Sequence, residues 1–152
     1  MKRISTILTA VLILFCLTAC SQATKEEKLP DFKVEVTGAV TYQLTNDDCS
    51  DLKIVEKEIL LKSKKGEETN KWKGILLKDV LDKAGVKDFK SIKVEANDGY
   101  SKEYTADLIN DKAIFALFKD GETLGENGPV EVVIDGQSGN NWVKCVSKIT
   151  VN

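Results

Sequence analysis

The chain has 152 residues, 22 basic and 24 acidic side chains, a net charge of −2 and an isoelectric point near 5.3. That is enough for one core, with no field of either sign to attract nucleic acid or an anionic membrane surface. Histidine is absent, the one methionine is Met1 and the one arginine is Arg3, which excludes histidine-based triads, His-ligated zinc, the usual His or Met ligands of haem and the guanidinium clamp for phosphate.

Lys2 and Arg3 precede a charge-free apolar run over residues 7–17 that ends in Leu17, Thr18, Ala19 and Cys20. The run is short for a spanning helix and is followed at once by charged sequence. The pattern predicts an export signal over residues 1–19 that ends in a bacterial lipobox, with Cys20 becoming the acylated first residue of the mature protein and holding it to membrane lipid. Loss of the signal removes two positive and no negative charges, so the mature balance is −4. Residues 20–30 are polar and without apolar periodicity, a flexible tether to a single domain over residues 31–152.

From residue 31 the pattern alternates. Phe32, Val34 and Val36 mark a half-buried first strand that stops at Gly38, and residues 40–44 begin a second. Thr45, Asn46, Asp47 and Asp48 are capping side chains and predict one short helical turn up to Lys53. Residues 54–63 read as a long strand, Lys64, Lys65 and Gly66 as its turn, and residues 67–71 as a short return strand. In WKGILLKDVLDKAG, residues 72–85, Leu76, Leu77, Val80, Leu81 and Ala84 share one face of a helix of about two turns. Gly85 is placed to end it in the left-handed conformation, with Val86 folding back as an apolar contact. Trp72 and Gly74 lead into this helix, where the chain passes close over the sheet.

Ile92, Val94 and Ala96 alternate again up to a sharp turn at Asn97, Asp98, Gly99 and Tyr100, with a partner strand over residues 100–104 and a helical turn at 106–109. The apolar run 113–118 predicts a central strand. Turns at 119–122 and 127–129 lead to a strand over 130–134, then a polar loop over 135–141. The last strand is expected over residues 142–151, with Trp142, Lys144, Val146 and Lys148 on one face and Val143, Cys145, Ser147 and Ile149 on the other. Many strands and few short helices predict a β-rich α+β domain with a mixed sheet. Cys16 leaves with the signal and Cys20 is acylated, so Cys49 and Cys145 remain, either as a disulfide outside the cytoplasm or as two separate thiols.

One ordered set of motifs stands out: Trp72-x-Gly74 running into a helix that ends Ala84-Gly85; Asp98-Gly99-Tyr100; Asp120-Gly121-Glu122 with Leu124 and Gly128-Pro129; Gly139 to Lys144 as GNNWVK; and a closing Lys148-Ile149-x-Val151. Over residues 32–151 this order resembles the molybdopterin-binding domain of the sulfite oxidase family of oxidoreductases, in the form of a short stand-alone exported branch. The resemblance implies that family's fold and a ligand cleft walled by Trp72, Asp98, Gly99, Tyr100, Asn140, Asn141, Trp142 and Lys144. Each has a plainer reading: the tryptophans as core or wall aromatics, Asp98 and Gly99 as a turn, the asparagines as partners of loop backbone. Lys62, Lys64 and Lys65 near the family's cofactor position read as a solvated face or an anion contact.

The family's molybdenum is held by a cysteine thiolate in a Cys-x-Gly-Asn type segment upstream of the tryptophan, and its cofactor phosphate by Arg, His and Lys. Here residues 59–72 contain neither that cysteine nor a Gly-Asn pair, and lysine is the only cation available. The expectation is therefore a lipid-anchored extracytoplasmic domain without a cofactor or metal site, acting as a ligand-binding or accessory module toward a small molecule or a surface protein. The alternative is a divergent molybdopterin-dependent oxidoreductase or redox-chain subunit. A thiol redox role for Cys49 and Cys145 lacks the usual Cys-x-x-Cys spacing. The anchoring is tested by Cys20→Ala, which is expected to leave the protein unprocessed or released in membrane fractionation; normal acylation of the variant would contradict the lipobox.

Overall fold

Alternation and apolar runs produce ten strands, one α-helix and three short 3-10 turns among the described residues, 28–63 and 66–152 of the computed structural model. The strands are β1 (Lys33–Thr37), β2 (Tyr42–Thr45), β3 (Ile54–Ser63), β4 (Gly66–Leu76), β5 (Ser91–Ala96), β6 (Ser101–Thr105), β7 (Ala113–Lys119), β8 (Glu122–Thr123), β9 (Glu131–Ile134) and β10 (Val146–Val151); helix α1 is Leu77–Lys83. The expected signal segment, Cys20, the tether up to residue 27, Lys64, Lys65 and the side chain of Lys62 lie outside the described residues.

Two sheets form. The first has the order β2-β1-β10-β5-β6 and is mixed, because β1 runs parallel to β10 while its other pairs are antiparallel. The second has the order β3-β4-β7-β8, with β9 paired to β7, and is antiparallel throughout. The main core draws Val34, Val36, Val94 and Ile149 from the first sheet, Ile75, Phe115 and Leu117 from the second, and Leu77, Val80 and Leu81 from α1. Phe32 meets the Phe115 ring edge-on at 5.4 Å. Each fully buried large apolar side chain contributes about 1.5–3 kcal/mol.

Helix α1 ends as its sequence predicts. Gly85 has φ 86°, its N–H donates to the Asp82 carbonyl (2.9 Å), and the Val86 N–H donates to the Leu81 carbonyl (2.9 Å). This is the paired-bond termination that needs a glycine, and Leu81 and Val86 are both buried beside it.

Three expectations are corrected. Residues 46–52 form successive turns instead of a helical turn: the Cys49 N–H donates to Asn46 and the Leu52 N–H to Cys49, each across three residues. The Asp48 carboxylate accepts the Thr45 N–H and hydroxyl and the Tyr42 hydroxyl, so it closes the turn instead of starting a helix. Those bonds, that from the Thr45 hydroxyl first, hold its carboxyl below the usual range. Second, the return strand runs on through Trp72 to Leu76, so Trp72 and Gly74 lie within β4. A Cβ on Gly74 would stand 2.2 Å from the Phe115 carbonyl oxygen, so the close approach is between adjacent strands, at a register shift beside Lys73.

Third, the last strand begins at Val146. Cys145 has φ 48°, a left-handed conformation that breaks the extended chain, and its N–H and C=O bond to Asn127 and Asn97 in neighbouring loops. Trp142 and Val143 are consequently both buried instead of facing opposite ways. Of the two readings open for Cys49 and Cys145, the structure has the separate free thiols. Cys49 is fully buried in the main core, where burial pushes its thiol up to about 11, whereas Cys145 sits half-buried in the loop before β10.

The outer face of the second sheet carries a smaller core of Ile59, Trp72, Ile114, Ala116, Leu124, Val133 and Trp142. Glu131 alternates with Val132 on β9 and is fully buried, with neither carboxylate oxygen hydrogen-bonded within the protein. The Val132–Val143 bridge sets Lys144 across the chain from it. Burial raises the Glu131 pKa, an effect that Lys144 and Lys119 partly offset. An unfolded glutamate releases its proton near pH 4.3 while the folded one holds it, so this group's contribution falls as pH rises from there through its raised folded pKa. Glu131→Gln is therefore expected to raise stability at pH 7 by on the order of 1 kcal/mol and to flatten the pH dependence of denaturant unfolding. A less stable variant with an unchanged pH slope would contradict this.

Candidate functional site

A cleft of about 420 Å³ opens where three loops meet, lined by Ala96, Asp98 and Tyr100 from the β5–β6 turn, Glu126 and Asn127 from the segment after β8, and Gly139, Asn140, Trp142, Lys144 and Cys145 from the loop before β10. Each loop is fixed by bonds that follow from its composition. In the first, Gly99 at φ 86° lets its N–H donate to the Ala96 carbonyl (3.1 Å), and the Asp98 carboxylate accepts the Tyr100 N–H (2.9 Å). In the second, the Asn127 carbonyl accepts the Cys145 N–H (2.7 Å), and the Cys145 thiol donates to the Glu126 carbonyl (3.4 Å). Gly128 leaves room for this contact, since a Cβ there would come within 3.0 Å of the Cys145 sulfur.

The third loop is held by tyrosines and by its own tryptophan. The Tyr100 hydroxyl donates to the Asn140 carbonyl (2.6 Å) and the Tyr104 hydroxyl donates to the Asn141 carbonyl. Burial, with the neighbouring Tyr100 adding to it, raises the Tyr104 pKa, so the phenol stays a donor. The Trp142 indole N–H donates to the Ile134 carbonyl (3.1 Å), and its ring meets Trp72 edge-to-face at 5.5 Å. Lys119 lies 5.5 Å over the other side of this aromatic pair, on Trp72.

Of the residues nominated from sequence, Asp98, Tyr100, Asn140, Trp142 and Lys144 line the cleft. Trp72 does not, being 2% exposed behind Trp142. Gly99 shapes the turn without forming the wall, and the Asn141 side chain donates to Gln137. Glu126 and Asn127 were not nominated, because GENG reads locally as a turn and only the fold brings it against Cys145. Cys145 is itself a wall residue; its place directly after GNNWVK was the available signal.

The wall thus offers two carboxylates, one ammonium, one thiol, two aromatic rings and the asparagine side chains. Among the described residues, no group of three or more His, Cys, Asp or Glu side chains is placed to hold a metal ion.

No curated protein matches this chain. Among solved structures, that of the sulfane dehydrogenase SoxCD from Paracoccus pantotrophus is similar, with a TM-score of 0.70 at 21% identity over 79% of this chain and 38% of that one. At that identity the likeness is one of fold, and the chain matches well under half of the dehydrogenase chain. The β-rich architecture with mixed pairing and few short helices is the fold shared with the matched part of that structure. The model of the oxidoreductase molybdopterin binding domain matches residues 22–152, and the chain belongs to that family.

Proposed function

We propose that this protein is a lipid-anchored, extracytoplasmic member of the molybdopterin-binding family that works as a ligand-binding or accessory module without molybdenum chemistry. The observation that carries this reading is the charge of the cleft wall, where, among the described lining residues, Asp98 and Glu126 face one cation, Lys144, with Lys102 held over the Tyr100 ring. A phosphate-bearing pterin needs a cationic cradle, and this wall opposes one. Molybdenum needs a thiolate; residues 59–72 supply none, and the one thiol on the wall, Cys145, is engaged as a donor to the Glu126 carbonyl. The residues present do not fit the group.

They do fit a small polar molecule. Asp98 and Glu126 accept its donors, Lys144 meets an acceptor or anionic group, and Tyr100, 43% exposed, supplies an aromatic face. Acylation at Cys20 would keep such a cleft near the outer membrane surface at the end of a short tether.

The test is native mass spectrometry of the protein released gently from its own membranes. Tyr100→Ala is expected to melt within a few degrees of the parent while retaining roughly tenfold less bound species, because an exposed aromatic contributes more to a ligand than to the core. Trp142→Ala, by contrast, is expected to lose about 3–5 kcal/mol of stability, since Trp142 belongs to the second core. Unchanged retention in a folded Tyr100→Ala protein would contradict the binding role.

A further inference from the structure

Strand β3 is an edge of the second sheet, paired with β4 alone in the strand order. It is ten residues long, and its register with β4 runs from Ile54↔Ile75 to Ser63↔Gly66 without a bulge. It contains no proline. The other edges are shorter: β2 has four residues, β6 five and β8 two. A long, regular edge carries a row of backbone donors and acceptors ready for another strand, which proteins usually blunt with bulges, prolines or brevity. None of these three is present on β3, which carries charged side chains instead, Glu56, Lys57, Glu58 and Lys62, and these bear on which partner can pair with it.

The sequence along this edge is complementary to itself. Leu60 stands in the second half of the strand and is 37% exposed, one of two large apolar side chains that are exposed among the described residues. It is flanked by Ile59 and Leu61, then by Glu58 and Lys62. When two copies of β3 run antiparallel about a two-fold axis at Leu60, Leu60 meets Leu60, Ile59 meets Leu61, and Glu58 stands at the register position of Lys62. The two-fold axis repeats each unlike pair. Directly opposed side chains in an antiparallel pair are the closest neighbours across it, so opposite charges there favour this register and like charges oppose it. Glu58 already faces Lys71 on β4, but that contact is a 3.9 Å pair between two exposed side chains, a weak pair that leaves the carboxylate able to meet a second cation across the edge. On the opposite strand face Ile59 is buried in the second core and Leu61 packs partly against it, so joining two copies also extends that core.

We propose that β3 is a homodimerisation edge at which two copies join through antiparallel pairing centred on Leu60, continuing the second sheet from one protomer into the other. The partner is a second copy of this chain, chosen by the Glu58 and Lys62 charges.

The test is oxidative crosslinking of the full-length chain in intact cells, read on non-reducing gels. Leu60→Cys is introduced with Cys145→Ser, while Cys49 stays buried in the core. Leu60→Cys is expected to give a disulfide-linked band at twice the protomer mass, and Lys87→Cys, at an exposed site away from the edge, is not. Adding Glu58→Lys is expected to cut the crosslinked fraction roughly tenfold, and adding Lys62→Glu to that protein is expected to restore it. A dimer band no stronger than that of Lys87→Cys, a Glu58→Lys change with no effect, or a failure of the charge swap to rescue would overturn the proposal. A crosslinked band of another mass would assign the edge to a different protein and overturn it equally. Melting of each purified variant distinguishes loss of pairing from loss of fold, because Glu58 and Leu60 are exposed and their replacement leaves the core intact.

Discussion

Strand β7 sits between β4 on one side and β8 and β9 on the other, and the six residues from Ala113 to Phe118 are all buried. A strand apolar on both faces must be covered on both faces, and the architecture follows from that requirement. One face is closed by the first sheet and α1. The other is closed by the small core around Ile59, Trp72 and Trp142, over which the described residues place no second α-helix. A loop does the work instead: residues 139–144 fold back, anchored by the Trp142 indole on the Ile134 carbonyl and by two tyrosine hydroxyls on loop carbonyls. The cleft is the space left where this loop meets the β5–β6 turn and the Glu126 segment. It exists because the second face of β7 is roofed by side chains and loop instead of regular structure.

Most of the framework is legible in the sequence because local pattern and tertiary demand agree there. The bounds of β3, the buried run of β7, the hairpin around Asp98 and Gly99, and the glycine termination of α1 follow from alternation, apolar continuity and left-handed glycine. Legibility fails where a distant backbone decides the conformation. Trp72 and Gly74 read as the approach to a helix, yet pairing with β7 extends β4 through them, and only the Phe115 carbonyl explains the glycine. Residues 142–151 alternate well enough for one strand, but bonds to Asn127 and Asn97 hold Cys145 left-handed and split it. The same split turns Cys145 into the cleft, where its place directly after GNNWVK is the one signal in the sequence. Asp48 shows the reverse case: a capping residue present in sequence serves a turn because its carboxylate is already saturated.

The polar groups left buried follow from the same arrangement. Glu131 lies under the loop roof, fully buried and without a hydrogen-bond partner, one position across from a lysine that faces the cleft. Leaving such a group unmatched costs about 1–3 kcal/mol, so this side of the sheet is less stabilising than its apolar content implies. The main core carries the fold, while the second core holds the cleft wall in place. A scaffold divided in this way tolerates change at the cleft, which is consistent with family membership by fold together with a wall whose charges oppose a phosphate-bearing cofactor.

The central claim, that the family fold is retained here without its molybdenum chemistry, rests on the residues of the cleft and is tested most directly by their occupancy. The measurement is molybdenum and pterin analysis of the folded, monodisperse protein purified from a host that makes the cofactor, with its absorbance spectrum taken on the same sample. The account predicts neither stoichiometric molybdenum nor pterin absorbance. Molybdenum approaching one equivalent per chain would contradict it and would make Cys145, the thiol on the cleft wall, the first side chain to examine as the ligand.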